Sequence, residues 1–250
     1  MSRIHNYISA QQQIKNQIAH ANRSLRNGSV KLFAKLLGDF LATWTIRSLR
    51  SSNEVVLQGV VEILLDPPRT RVPELYLVMD GKKQKGDGRY AFPDIFVVGN
   101  DNSESAVVLE LKDIHLSGLW NGAHGGWAKW TIPSYEELEA LAEKVAVMDE
   151  ASMDKMWYMY WSDRDNKYTS TTIGKMRKDA LAQVKRYVKV IKKGRAEKFE
   201  DSGVRDPRVT VKRTDSTLFS FVLMAVGGQR ILYEAGKPEK MKFSYSSTLA

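Results

Sequence analysis

The chain has 250 residues, a hydrophobic fraction of 43% and a formal net charge of +9. This hydrophobic content is typical of a folded domain and excludes a disordered chain. Cysteine is absent, which excludes disulfides, thiolate zinc sites and cysteine nucleophiles, and the four histidines lack the paired spacing of a zinc site.

The N-terminal 50 residues are predicted to be mostly helical, with a break at Gly28, and to pack on the core. The most apolar part of this segment, residues 30–49, contains several charges, which favours an amphipathic helix over a membrane span. The first residues are polar and do not resemble a signal peptide. We therefore expect an intracellular protein, in the nucleus or the cytoplasm. Residues 51–250 are predicted to form the main domain.

A second helix is predicted over residues 51–65, where Asn53 or Ser52 can cap it and the Asp-Pro-Pro at 66–68 ends it. Its polar side chains recur every fourth residue and form one stripe, Glu54, Gln58 and Glu62. Its apolar side is predicted to consist of Val55, Val56, Val60, Ile63 and Leu64.

Three strands are predicted next, at residues 73–79, 89–98 and 106–112, with a polar turn before the last. Because strand side chains alternate between faces, Glu110 and Lys112 share a face. Pairing across the turn brings Asp94 beside Glu110. Two neighbouring carboxylates repel each other, and one lysine offsets only one charge, so the pattern favours a bound divalent cation.

Residues 113–170 are predicted to be an insertion, with a loop at 118–130, a helix at 134–149 that Ser134 and Glu137 cap, and a strand at 156–161. It contains five of the six tryptophans, Trp120, Trp127, Trp130, Trp157 and Trp161. These rings either form a small local core or stack on nucleic-acid bases. His115 either reaches the metal's water or a phosphate, or has no catalytic part.

An amphipathic helix is predicted over residues 178–191, and Gln183 and Tyr187 share one of its faces. The window 175–213 holds fourteen Lys and Arg against five Asp and Glu, and this surplus of nine equals the net charge of the chain. Such a concentration favours nucleic acid as a partner, although a solvated lysine face gives the same pattern. The predicted nucleic-acid-binding residues are Lys178, Lys185, Arg186, Lys189 and Lys192.

A hairpin is predicted around Gly227 and Gly228, formed by residues 216–226 and 229–234. The polar C-terminal segment from Gly236 onward is expected to be loosely held.

The pair Pro93-Asp94, followed by Glu110-Leu111-Lys112 at the end of an apolar strand, resembles the signature of the PD-(D/E)XK nuclease superfamily. The resemblance implies an α/β, restriction-endonuclease-like fold with an αβββαβ core. In this fold a mixed central sheet is flanked by helices, here with N-terminal helices and a Trp-rich insertion in addition. It also implies a Mg²⁺- or Mn²⁺-dependent nuclease that hydrolyses phosphodiester bonds, with DNA favoured over RNA and endonucleolytic cleavage favoured.

Site roles follow from the same resemblance. Asp94, Glu110 and the backbone carbonyl of Leu111 would hold the metal, and Glu54, or as second choice Glu62, would complete its shell. Lys112 would orient the attacking water or stabilise developing charge, and Gln183 and Tyr187 would hold the phosphate or the water. Residues 53–54, 58–59 and 182–187 further resemble nuclease domains of Crinkler-type effectors and mobile-element-associated proteins.

The sequence is also compatible with two other classes of function. The first is a nuclease-fold protein that binds nucleic acid without cutting it. The second is an effector or interaction module in which the insertion, through Trp127 or Trp130, contacts a protein partner.

Overall fold

The structure is a computed structural model of the 250-residue chain. It describes residues 2–43, 53–65, 70–99, 105–124, 130–198, 201–228 and 230–248. The helices are α1 (Ser2–Arg26), α2 (Lys31–Leu41), α3 (Glu54–Leu64), α4 (Leu116–His124), α5 (Tyr135–Val147), α6 (Glu150–Met153) and α7 (Ile173–Ile191).

The strands of the N-terminal half are β1 (Arg71–Pro73), β2 (Leu77–Val78), β3 (Tyr90–Ala91), β4 (Ile95–Val97) and β5 (Ala106–Ile114). The insertion contributes β6 (Trp157–Ser162) and β7 (Lys167–Thr172). The C-terminal strands are β8 (Gly203–Val204), β9 (Val209–Lys212), β10 (Ser216–Val226), β11 (Arg230–Ala235), β12 (Glu239–Met241) and β13 (Ser244–Ser247).

The central sheet is mixed, with the strand order β1-β4-β5-β10-β11 and with β12 also paired to β10. The β1–β4 and β4–β5 pairs are antiparallel, and β5 then runs parallel to β10 from Ala106–Leu218 to Ile114–Val226. The predicted C-terminal hairpin is present as the antiparallel β10–β11 pair. The prediction of an α/β fold with a mixed sheet flanked by helices is confirmed at this level.

Both faces of the sheet are covered, as expected for strands with nearly continuous apolar sequence. On β5, Leu109 and Leu111 pack against the core that α1, α2 and α3 cover. Val108, on the opposite face, packs in the core that α7 covers. The alternation along β5 therefore places Glu110 and Lys112 on the face of the sheet that α7 covers. In the described part of the chain no helix is both long and apolar enough to cross a membrane.

Local sequence signals fix several helix ends. Gly28 follows α1 with φ +89°, a conformation that favours glycine, as predicted. Asn53 caps α3 by accepting a hydrogen bond from the Val56 N–H (3.0 Å), whereas its alternative Ser52 and the stop at 66–68 lie outside the described residues. The capping box of Ser134 and Glu137 begins α5 as predicted.

The predicted strand at 73–79 is wrong. Its residues fall into β1, which belongs to the central sheet, and β2, which belongs to a separate sheet with the order β3-β2-β8. Glu74 between them has φ +49°, which turns the chain out of the first sheet. The predicted strand at 89–98 is likewise divided into β3 and β4, with Pro93, which has no N–H for strand pairing, in the break.

The predicted apolar side of α3 is partly wrong. Leu57 and Val61 are buried with Val60 and Leu64, but Val55 and Ile63 are 74% and 70% exposed. The helix lies on the sheet with the stripe 57, 60, 61 and 64, so the side that carries Val55 and Ile63 faces solvent.

The predicted loop at 118–130 is mostly a helix in its described part, because residues 116–124 form α4. Gly118 and Gly122 face β6, and a Cβ atom on Gly118 would lie 2.7 Å from the Met159 carbonyl oxygen. These glycines allow close packing of helix against strand. Trp127 lies outside the described residues.

The predicted loosely held C-terminus is also wrong. β12 pairs with β10, and β13 pairs with β9. Tyr245 is buried and packs edge-on against Phe96 with ring centroids 5.3 Å apart.

Candidate active site

Asp94 and Glu110 meet at the end of the β4–β5 pair. Ile95 is paired with Leu109, so the next position along the antiparallel register places Asp94 opposite Glu110. The Leu111 N–H donates a hydrogen bond of 2.6 Å to Asp94 Oδ2. The predicted approach of the two carboxylates across the turn is therefore present.

Lys112 joins these carboxylates to α3. Its Nζ atom lies 2.9 Å from Glu110 Oε1 and 3.2 Å from Glu54 Oε1. Glu54 occupies the first position of α3, so this helix begins at the cluster. Glu62, the second choice, instead forms an ion pair with Arg71 (Oε2 to Nε, 3.5 Å).

Glu110 is the most deeply buried member of the cluster, with 0% of the residue exposed. Apart from the ammonium of Lys112, its oxygens have no hydrogen-bond partner among the described residues. Burial raises the pKa of Glu110 to about 7, with Lys112 opposing the rise and Asp94 adding to it. A carboxylate in this situation favours either a proton or a cation.

The pKa values of Asp94 and Lys112 are both raised, but by different causes. Burial raises the pKa of Asp94 to about 6, although the Leu111 N–H and Lys112 oppose this. Burial alone would lower the pKa of Lys112, but Glu110, Glu54 and Asp94 outweigh it and raise that pKa. Lys112 is therefore a permanent positive charge at the centre of the cluster.

Gln183 and Tyr187 of α7 close the cluster from the other side. Gln183 Nε2 donates a hydrogen bond of 2.6 Å to the Tyr187 hydroxyl oxygen, and Tyr187 is 5% exposed. Burial raises the pKa of Tyr187, and the charge of Glu110 adds to the rise. The structure thus brings together all six predicted catalytic side chains: Glu54, Asp94, Glu110, Lys112, Gln183 and Tyr187.

The donor set fits a hard divalent cation that keeps part of its water. Among the described residues, no three His, Asp or Glu side chains are grouped so that they hold a metal by themselves. Asp94 and Glu110 can supply two oxygens and the Leu111 carbonyl a third, which leaves positions for water. Mg²⁺ commonly binds proteins through one or two carboxylates with several waters, so Mg²⁺ or Mn²⁺ suits these donors. Glu110 Oε2, which is buried and has no hydrogen-bond partner among the described residues, is the observation that favours this occupant.

His115 lies in a neighbouring polar group. Its Nδ1 atom is buried, lacks a hydrogen-bond partner among the described residues and lies 3.9 Å from Asp113 Oδ2. Tyr158 packs nearby, and burial raises its pKa to about 12, with smaller contributions from Asp113 and Glu54. The contacts of His115 are therefore with this group and do not include Glu110 or Lys112.

Three of the predicted nucleic-acid-binding residues, Lys185, Lys189 and Lys192, lie on a different side of α7 from Gln183 and Tyr187. With about 100° between successive helical residues, Lys185 and Lys189 are each roughly 160° from Gln183 and Tyr187, respectively. Lys185, Lys189 and Lys192 line a separate groove of about 340 Å³ next to β10 and β12. Lys178 and Arg186 are exposed, and Lys192 forms an ion pair with Glu239 (2.7 Å). The groove with Lys185, Lys189 and Lys192 is therefore separate from the carboxylates.

The tryptophans of the insertion divide between packing and exposure. Trp120 stacks on His124, and Trp130 stacks on Tyr168 with centroids 5.2 Å apart. Trp157 and Trp161 on β6 are 45% and 47% exposed.

A cavity of about 490 Å³ near Asp94 was not predicted from the sequence. It is lined by Tyr76 and Phe92, whose rings stack although their residues belong to segments on either side of the turn at 80–88. The available signal was the cluster of Tyr76, Tyr90 and Phe92 next to the Pro93-Asp94 pair.

No protein-family model, curated protein or solved structure matches this chain.

Proposed function

We propose that this protein is a metal-dependent nuclease of the PD-(D/E)XK type that hydrolyses phosphodiester bonds, with DNA the favoured substrate. One observation carries the proposal. Asp94, Glu110 and Lys112, from two adjacent strands, converge with Glu54 from the start of a helix, and Lys112 contacts both glutamates.

The order of elements supports a restriction-endonuclease-like core. Along the chain, α3 is followed by β1, β4 and β5, which pair antiparallel in that order. Next come α7 and then β10, which is parallel to β5. This succession agrees with the αβββαβ core that the motif implies. The additions are β2, β3, the insertion, β8, β9 and the strands after β10.

Mg²⁺ or Mn²⁺ would be held by Asp94, Glu110 and the Leu111 carbonyl, with Glu54 as a further ligand or as the partner of a bound water. When bound, such an ion polarises the scissile phosphate and lowers the pKa of a coordinated water.

The chain's own residues supply positioning and charge. Lys112, which stays protonated, can donate to a non-bridging phosphate oxygen and stabilise the negative charge that grows in the transition state. Tyr187 keeps its proton because its pKa is raised, so its hydroxyl can donate to a phosphate oxygen or a water. Gln183 fixes that hydroxyl through their hydrogen bond.

The test compares cleavage of labelled single- and double-stranded DNA and RNA with Mg²⁺, with Mn²⁺ and with chelator. We expect metal-dependent cleavage that falls by roughly 100-fold or more in Lys112→Ala, the scale for loss of one charge-stabilising group. Lys242→Ala is the matched control, because the Lys242 side chain is 85% exposed and pairs with Asp215, which is itself exposed, at 3.6 Å. Equal cleavage by the wild type and Lys112→Ala, or none by folded wild type in any condition, contradicts the proposal.

A second candidate is an effector or interaction module, and the exposed tryptophans of β6 favour it. Aromatic side chains of this kind are enriched at interfaces. Binding of a partner that is lost in Trp161→Ala and retained in Asp94→Ala would favour this function over catalysis.

A further inference from the structure

The cavity next to the candidate active site is continuous with it along two elements. Gln58 on one wall lies one helical turn after Glu54. Phe92, which also lines the cavity, lies two residues before Asp94. The N–H of Glu74, a third lining residue, donates a 3.0 Å hydrogen bond to the Asp94 carbonyl. The cavity is therefore lined by residues that adjoin Glu54 and Asp94, within reach of a strand of nucleic acid bound there.

The aromatic lining of the cavity includes a partly exposed ring. Phe92 stacks on Tyr76 with centroids 5.5 Å apart and planes 8° apart, and Tyr76 packs in turn on Tyr90 at 5.2 Å. Phe92 is nevertheless 49% exposed and lines the cavity. Since Tyr76 covers one face of the ring, a second planar group would stack on the other face. A flat aromatic ligand can extend this stack without moving it.

Arginines are interleaved with these rings. The Arg89 guanidinium lies 5.4 Å from the Tyr90 ring centroid. Burial raises the pKa of Tyr76, and the charges of Arg205 and Arg89 oppose that rise, so both lie near its hydroxyl. Arg208 at the cavity wall pairs with Asp206 (2.7 Å). Aromatic rings with arginines between them are typical of surfaces that bind unpaired nucleotides.

The polar lining selects which part of a nucleotide enters. Glu62 and Glu74 line the cavity, and their carboxylates disfavour a phosphate group. The same oxygens can accept hydrogen bonds from the amino groups of a base. The volume of about 490 Å³ lies within the usual range for small-ligand pockets.

We propose that this cavity is a nucleobase subsite, in which an unpaired base of the substrate stacks on the open face of Phe92. The subsite rests on the proposed function for its substrate. A base inside a duplex is already stacked on both faces and must leave the helix to enter. The substrate class is therefore an unpaired strand: single-stranded DNA, a frayed end or a displaced base.

The test measures binding in chelator, so that no cleavage occurs. A single-stranded DNA oligonucleotide with 2-aminopurine and the same sequence as a duplex are titrated, and anisotropy and 2-aminopurine emission are recorded. We expect Phe92→Ala to weaken single-strand binding by about 5- to 150-fold, the range for loss of one base–aromatic stack. Duplex binding is expected to stay within a factor of two, and stacking should quench 2-aminopurine only in proteins that keep Phe92.

Two further variants make the result specific. Phe92→Leu keeps an apolar side chain and removes the ring, so it should lose the quenching even if Phe92→Ala folds poorly. Tyr233→Ala is the matched control, because Tyr233 is 37% exposed on β11, at the other end of the sheet order from β1. Unchanged single-strand binding in Phe92→Leu, or equal losses for single strand and duplex, overturns the subsite.

The outcomes separate the subsite from the nuclease. If the wild type cleaves but the Phe92 variants bind as the wild type does, the subsite is contradicted and the nuclease proposal is supported. If binding and quenching depend on Phe92 but no metal supports cleavage, the subsite is supported and the nuclease proposal is contradicted.

Discussion

Glu110 combines nearly complete burial with a single charged partner, and this has a consequence for stability. Burial raises the pKa of its carboxyl from an ordinary 4.5 to about 7, so the folded chain holds this proton more tightly than the unfolded chain does. The stability that this group contributes is present below pH 4.5 and is lost as the pH rises toward 7. Asp94, with its pKa raised to about 6, acts in the same direction.

Glu110→Gln should therefore flatten the pH dependence of stability. In chelator, between pH 5 and pH 8, the wild type is expected to lose on the order of 1–3 kcal/mol of unfolding free energy relative to this variant. Urea unfolding followed by circular dichroism at each pH measures the difference. Parallel stability curves for the two proteins would show that the Glu110 carboxyl is not perturbed in this way.

Metal binding should compete with the same protons. Mg²⁺ or Mn²⁺ is expected to raise the thermal midpoint of the wild type at pH 8 and to do so progressively less below pH 7, since protonated carboxyls are poor ligands. Asp94→Asn should abolish the shift, whereas Asp201→Asn, at an exposed position, should keep it. A shift of equal size in wild type and Asp94→Asn means that the ion binds elsewhere.

Individual site residues were predictable where strand geometry alone placed them. Alternation along one strand fixed Glu110 and Lys112 on one face, and antiparallel pairing supplied Asp94. The choice between Glu54 and Glu62 could not be made from their spacing, because both belong to one stripe of α3. It depends on Arg71, which pairs with Glu62, and on Lys112, which pairs with Glu54.

At the scale of elements, replacing a glycine by alanine is expected to have opposite effects on stability in α4 and in α3. A Cβ atom on Gly122 would collide with the backbone of Trp157 and Tyr158, whereas a Cβ atom on Gly59 would meet nothing within 4 Å. Glycine costs about 1 kcal/mol relative to alanine inside a helix. The position, and not the helix propensity, therefore decides the sign of a substitution.

Gly122→Ala is expected to destabilise the fold by about 1–3 kcal/mol, the usual cost of overpacking. Gly59→Ala, the matched control, is expected to stabilise it by about 0.5–1 kcal/mol. Chemical denaturation of both variants at one pH gives the comparison. If Gly122→Ala is as stable as the wild type, α4 and β6 do not pack as closely as described.

The elements that the sequence did not predict depend on pairing between distant segments. β2 joins β8 rather than the central sheet, and β13 joins β9, so their partners lie far along the chain. By contrast, α5 could be predicted with its cap because Ser134 and Glu137 are three residues apart. Local signals were sufficient for such caps and for the β10–β11 turn.

At the scale of the whole molecule, Lys185 and Lys189 lie on a different side of α7 from the carboxylate cluster. Part of the basic surplus is buried, because Arg177 is 8% exposed and pairs with Glu150, Asp154 and Glu234. The groove with Lys185 and Lys189 is one exposed part of the basic segment, and we expect it to contact a phosphate backbone.

The double variant Lys185→Ala/Lys189→Ala should weaken nucleic-acid binding at low salt. We expect the slope of log affinity against log salt to fall by about one for each phosphate contact removed, with cleavage at saturating substrate retained. Fluorescence anisotropy over a salt series measures the slope, and Lys242→Ala serves as control. An unchanged slope would identify these lysines as a solvated face.

The parallel pairing of β5 with β10 has a consequence for how the chain folds. Ala106 is paired with Leu218, which is 112 positions further along the sequence (218 − 106). The entropy cost of closing so long a loop must be met before the contacts between β5 and β10 form. Folding is therefore expected to be slow compared with a helical bundle of equal length. On the ribosome, β5 with its complete motif emerges long before the strand that covers its edge. Until β10 is synthesised, this strand presents an unpaired hydrophobic edge of the kind that promotes aggregation, so a chaperone present during synthesis is expected to raise the yield of folded protein.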